Sequence, residues 1–147
     1  MKFQKSIGIA APADKKWPFL IEPVHVVKWC CNVERIVHHG GEGNNGLGGK
    51  FYLEERAVGR ILKLYFVVTE FEVNRSFAFK MISGDLVKGY EQKYTLEPNP
   101  LGTRLTCFED VTLPLGIMGK AAGFLRKPIS EARVHKMLVN LKSMGED

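Results

Sequence analysis

Long hydrophobic runs are missing from this chain. No stretch approaches the roughly 20 apolar residues needed to cross a bilayer, so no transmembrane segment is expected. The opening MKFQKSIGIAAPADKKW has no extended apolar core and alternates instead, which argues against a signal peptide. Cysteine is scarce: Cys30, Cys31 and Cys107 are the three. An odd number without metal-type spacing excludes a disulfide framework and points to reduced thiols in a cytoplasmic setting. Each reads most plainly as a small buried hydrophobe. Paired metal ligands are lacking too. His25, His38, His39 and His135 form no H-x-x-x-H, and the cysteines form no C-x-x-C, so no metal site is expected. Clustered positive charge is the last absence. The net charge is +5, yet the densest clusters are the pairs Lys15-Lys16 and Arg126-Lys127. Nucleic-acid modules interleave such runs with aromatics. Here the charge reads as solvated surface, with no nucleic-acid partner.

Motifs for cofactors and nucleophiles fail on context. Gly41-Glu42-Gly43-Asn44-Asn45-Gly46 fits G-x-G-x-x-G, but a dinucleotide site needs a helix next, and KFYLEERAV follows with strand character. Gly49-Lys50 is followed by Phe51 rather than Ser or Thr, which removes the P-loop reading. No G-x-S-x-G elbow is present. No cofactor is therefore implied. The glycine-rich run reads as a long hairpin loop with Asn45-Gly46 at a turn. Its consecutive N–H groups leave anion binding open.

What is there is alternation. The chain has 147 residues, read as one domain over 1–147, and at that length about 70% of the unfolded surface is buried without staples. Residues 60–82 form its centre, two long strands joined at EVNR. Leu62, Leu64, Phe66 and Val68 oppose Ile61, Tyr65, Val67 and Phe71, so the first strand is expected to be covered on both faces. Residues 2–10, 31–38, 88–99 and 103–113 also alternate. KKWPFLIEPVHVVKW gives two short helices, with Asp14 as an N-cap and Pro23 opening the second. From Ile117 to Met144 the apolar period becomes helical, and Pro128 is expected to kink or break that helix between Arg126 and Ser130.

The order is strand, two short helices, six strands and one long helix. It resembles the START-like helix-grip (SRPBCC) superfamily, the polyketide cyclase/dehydrase and lipid-transport proteins that include the plant pollen allergen Bet v 1. The local marks are I-A-A-P-A-D-K-K-W-P-F-L at 9–20, V-T-E-F-E-V-N-R-S-F-A-F-K at 68–80 and G-T-R-L-T at 102–106. Relatives commonly carry proline where Val73 stands. Pro128 and the glycines before it also depart from the pattern. The resemblance implies an α+β fold in which a seven-stranded curved antiparallel sheet wraps the C-terminal helix. It also implies a cavity between them for a small hydrophobic or amphipathic ligand.

Candidate site residues follow from that geometry. Tyr90, Gln92 and Tyr94 share one strand face, which is expected to be the concave one. They either orient a ligand or are core tyrosines with satisfied hydroxyls. Glu109 sits in phase with Leu105, Cys107 and Val111. It is a general acid or base if desolvated in the cavity, or else it pairs with a Lys or Arg or is turned outward. Lys63 and Tyr65 invite the same two readings. Trp29, Tyr65, Phe79, Tyr90, Tyr94 and Phe124 are expected to supply apolar contact, with Gln92 and Glu109 as polar handles. Binding of such a ligand is the first expectation. A cyclase or dehydratase using Glu109 with Tyr90 or Tyr94 is the second. A regulatory interaction module is the third. It requires an exposed convex patch, with Leu62, Leu64 and Phe66 as candidates, which would equally serve a homodimer.

Overall fold

Every period-2 stretch becomes a strand, and the helical period at the end of the chain becomes one long helix. The computed structural model describes residues 1–30, 32–39, 46–57, 59–85, 87–112 and 116–145, with backbone alone for 39, 57 and 116–126. In chain order the elements are β1 (Lys2–Ile9), α1 (Ala13–Ile21), α2 (Pro23–Trp29), β2 (Val33–His39), β3 (Lys50–Ala57), β4 (Arg60–Glu72), β5 (Ser76–Gly84), β6 (Gly89–Asn99), β7 (Gly102–Thr112) and α3 (Gly116–Ser143). All seven strands form one sheet in the order β1-β7-β6-β5-β4-β3-β2. Every neighbouring pair is antiparallel. This is the expected helix-grip arrangement. Cys31 and the glycine-rich loop at 40–45 lie outside the described residues, so anion binding there has no structural reading.

One face of the sheet carries the core. Leu62, Leu64, Phe66 and Val68 of β4 are buried on it, beside Phe51 and Leu53 of β3, Tyr94 and Leu96 of β6, and Leu105 and Cys107 of β7. From α3 come Val134, Met137, Leu138 and Leu141, spaced i, i+3, i+4 and i+7, all buried in the same cluster. Irregular register between Tyr65 and Phe66 and between Val68 and Glu70 marks bulges in β4, which bend and twist a strand.

Two expectations for β4 are corrected. Its outer face is not covered: Lys63 is exposed, Ile61 and Val67 are half-buried, and Tyr65 is 44% exposed, packed on Tyr52 with ring centroids 4.9 Å apart. A cross-strand aromatic pair of this kind stabilises an antiparallel sheet without a covering layer. Conversely, Leu62, Leu64 and Phe66 are core residues, so they form no convex patch for a partner or a second copy.

Capping differs as well. The N-cap of α1 is Pro12, in extended conformation and without a side-chain bond, while Asp14 lies inside the first turn. Pro23 does open α2. α3 is helical straight through Pro128 rather than broken there. Proline lacks one N–H, and tertiary packing of the remaining turns outweighs that single lost bond. At the other end of α3 the buried Lys16 of α1 donates from Nζ to the carbonyls of Lys142 (2.7 Å), Met144 (2.6 Å) and Leu141 (3.5 Å). The last carbonyls of a helix lack i+4 donors, although that of Leu141 also accepts from the Met144 N–H at 3.2 Å, and a cation there meets the negative end of the helix dipole.

The β6–β7 turn shows why a glycine is needed at 102. Gly102 has φ +149°, and a Cβ there would collide with the carbonyl of Ile9 and the backbone of Ala11. Thr103 Oγ1 donates to the Ala11 carbonyl at 2.7 Å. Thus G-T-R-L-T and I-A-A-P, two separated sequence marks, are one contact in space.

Candidate functional site

Strand alternation places Tyr90, Gln92 and Tyr94 of β6 on the concave face, and the β6–β7 register sets Gln92 opposite Glu109. Glu109 is completely buried. A carboxylate there requires donors on every side. Tyr90 Oη donates to Glu109 Oε1 at 2.7 Å, and Gln92 Nε2 donates to the same oxygen at 3.0 Å. Arg133 of α3 reaches across from the helix. Its Nη2 lies 3.0 Å from both Oε1 and Oε2. Tyr94 Oη in turn donates to Gln92 Oε1 at 2.9 Å. Sheet and helix are therefore joined through one buried carboxylate.

A second carboxylate stands nearby. β3 alternates Phe51, Leu53, Glu55 toward the core, so Glu55 faces inward with them. Asn32 Nδ2 donates to Glu55 Oε1 at 2.6 Å, and Arg133 Nη1 is 4.0 Å from that oxygen. Burial raises the Glu55 carboxyl above its usual value; Arg133 opposes the shift and Glu109 adds to it. The other groups respond to the same surroundings. Burial pushes the Tyr90 and Tyr94 hydroxyls well up, and for Tyr90 the Glu109 and Glu55 charges add to it. Cys107, buried beside Glu109, is pushed up to about 12 and is an inert thiol. For Arg133, burial works against the charge, but Tyr90, Glu109 and Glu55 outweigh it and keep the guanidinium protonated.

Beside this network lies a cavity of about 50 Å³. Its polar end is formed by Glu55, Tyr90, Gln92, Tyr94 and Arg133. The rest is apolar and aromatic, with Phe51, Phe66 and Phe79 from the sheet and Ile21, Val26 and Trp29 from the two short helices. Trp29 is held by Nε1 donating to the Phe19 carbonyl at 2.7 Å. Phe79 meets Phe51 and Phe66 edge-on, both with centroids 5.2 Å away.

The structure thus brings together Trp29, Phe79, Tyr90, Gln92 and Tyr94 at the cavity. It does not bring Tyr65, which points outward from β4 because its parity is opposite to that of Leu64 and Phe66. Glu109 sits behind the wall, held by its partners. Of the alternatives raised for it, pairing with an arginine is what the structure contains. Phe124 lies among residues whose side chains are outside the described set. Two residues escaped the sequence reading. Glu55 was signalled by its phase with Phe51 and Leu53, and Arg133 by its position four residues before Met137. Among the described residues no three His, Cys, Asp or Glu side chains cluster as metal ligands. No described helix is long and apolar enough to cross a membrane.

Residues 1–144 match the family described as polyketide cyclase / dehydrase and lipid transport. The chain belongs to this family. No curated protein matches it. Among solved structures it is similar to a protein from Thermus thermophilus (18% identity, TM-score 0.81, 97% of this chain and 95% of that one). It is also similar to the Zhui aromatase/cyclase from a Streptomyces species (13% identity, TM-score 0.80, 97% and 92% covered). A third is a START superfamily protein from Mycobacterium smegmatis (18% identity, TM-score 0.76, 93% of each chain). At these identities the structural likeness establishes the shared fold. Family membership rests on the match along the sequence.

Proposed function

We propose that this family member binds a small, mostly apolar molecule in the space between sheet and α3, as a carrier or sequestering protein. The observation that carries the reading is one cavity with an aromatic wall and a polar end made by Glu55, Tyr90, Gln92, Tyr94 and Arg133. Sites for small ligands combine such a wall with a few fixed polar groups. The free cavity, about 50 Å³, is well below the roughly 150 Å³ that admits benzene. Binding therefore displaces wall side chains. The short helices are the natural moving part, because Val24 and Val27 of α2 are exposed on their far side. A cytoplasmic location accompanies this reading, supported by the buried Cys107, a thiol outside any disulfide.

The cyclase or dehydratase reading draws on the family description and on the aromatase/cyclase of like fold. Its proposed acid, Glu109, accepts from Tyr90, Gln92 and Arg133 and stands behind the residues that line the cavity. That occupancy favours binding over proton transfer through Glu109. The interaction-module reading loses its support with the burial of Leu62, Leu64 and Phe66.

Thermal denaturation with 2-naphthol, a neutral amphipathic aromatic, tests the proposal. A ligand at a hundred times its Kd stabilises by about 2.7 kcal/mol. For a chain of this length that is a rise of roughly 8 °C in Tm. Native mass spectrometry should show one molecule bound. No uptake and no shift, with 2-naphthol or with a neutral long-chain alcohol, removes the reading.

A further inference from the structure

We propose that the cavity is built for a ligand carrying a protonated amine, with Glu55 as the group that receives it. This rests on the ligand-binding reading above and adds the chemistry of the ligand's head. The first support is a count of charge. Arg133 is engaged by Glu109 through both carboxylate oxygens at 3.0 Å, so its charge is already balanced. Among the described residues Glu55 is the carboxylate in the cavity wall. It stands 4.0 Å from Arg133, beyond hydrogen-bond reach, and its one hydrogen-bond donor among the described residues is Asn32 at 2.6 Å. Glu55 and Glu109 against Arg133 leave the carboxylates one charge in excess of the guanidinium at the polar end, and the other ionisable nitrogen side chain in the wall is His38, stacked on Phe51. In a water-poor site such an excess favours a cation strongly.

The second support is the wall. Phe51 and Phe66 stack with centroids 5.2 Å apart, Phe79 meets both edge-on, and Tyr90 closes on Phe66 at 5.5 Å. Aromatic rings lining the same cavity as a carboxylate add attraction for an ammonium group through their quadrupoles, as in the aromatic cages that hold organic cations. A ligand carboxylate has the opposite fate. It would bring a third anion to a guanidinium already committed to Glu109. A neutral hydroxyl can donate to Glu55 but leaves the charge where it was.

Three probes sharing one aromatic body separate these cases: 2-phenylethylamine, 2-phenylethanol and phenylacetate. Each is titrated at neutral pH into the wild type and into Glu55→Gln, following amide shifts or heat. In the wild type the amine should bind tighter than phenylacetate by about thirtyfold, with the alcohol between them. Glu55→Gln, nearly isosteric, should bring the amine to within about threefold of the alcohol. Phenylacetate binding as tightly as the amine, or the alcohol equalling it, overturns the amine assignment and leaves ligand binding standing. So does an amine preference that survives Glu55→Gln. The wild-type comparison decides even if the variant folds poorly. Binding of none of the three overturns this inference, while the ligand-binding reading is decided separately by 2-naphthol and the long-chain alcohol.

Discussion

Replacing Arg133 by methionine tests whether the sheet and α3 are joined through a buried ion pair. Arg133 is 22% exposed at its side chain and Glu109 is 0% exposed, so the substitution strands the fully buried partner. Two contacts of 3.0 Å to Glu109 disappear, together with the 4.0 Å approach to Glu55. Tyr90 and Gln92 still donate to one oxygen, and the other loses its one donor among the described residues. Removing one member of a buried pair costs about 4 kcal/mol. At roughly 3 °C per kcal/mol for a chain of this length, Tm should fall by about 12 °C. Methionine keeps the stem's packing, so little of the loss comes from a cavity. Glu109→Gln leaves an arginine that still reaches water, and should cost about 2 kcal/mol. The double variant should lose about 2 kcal/mol less than the sum of the singles, because neither partner is then stranded. Urea unfolding of the four proteins measures the free energies, and thermal unfolding the shift in Tm. Single effects that simply add, or an Arg133→Met loss below about 1 kcal/mol, would refute a coupled buried pair.

Three further outcomes are expected. Lys16→Met removes the donor to the Lys142, Met144 and Leu141 carbonyls and should cost about 3 kcal/mol, with amide exchange accelerated most in the last turns of α3. Uniform acceleration across the sheet would contradict the local cap. Burial raises the Glu55 carboxyl above its ordinary 4.5, so the native state binds more protons than the unfolded chain. That contribution is fully present below 4.5 and is lost as pH rises through the raised value. Glu55→Gln should therefore gain stability relative to wild type as pH climbs from about 4 to 7, and a pH-independent difference would count against it. Tyr94→Phe deletes the 2.9 Å bond to Gln92 Oε1 inside the core and should cost about 1.5 kcal/mol at equilibrium, with no change in far-UV circular dichroism.

The fold was legible because two periodicities do not overlap. Leu105, Cys107, Glu109 and Val111 alternate on β7, and Val134, Met137, Leu138 and Leu141 step around a helix. Those patterns, with the two short helices between β1 and β2, leave few topologies. The site was legible only in part. Tyr90, Gln92 and Tyr94 were found by phase on one strand. Tyr65 was misplaced because an apolar aromatic on a two-sided apolar strand gives no sign of which face is inward. Arg133 and Glu55 lie on α3 and β3, far apart in sequence from each other and from Glu109. Local pattern cannot pair them, since contact between α3 and the sheet exists only once the fold is assembled. Pairing of Glu109 with a Lys or Arg was among the readings, but the partner could not be named for the same reason: it is 24 residues away on another element.

Amide and side-chain chemical shifts of the isotope-labelled protein, titrated with 2-phenylethylamine, bear most directly on the account. Saturable shifts should cluster at Glu55, Trp29, Phe79, Tyr90 and the Arg133 side chain, while Tyr52 and Tyr65 on the outer face stay still. Shifts that do not saturate, or that gather on the outer face of the sheet, would contradict a ligand site enclosed between sheet and helix.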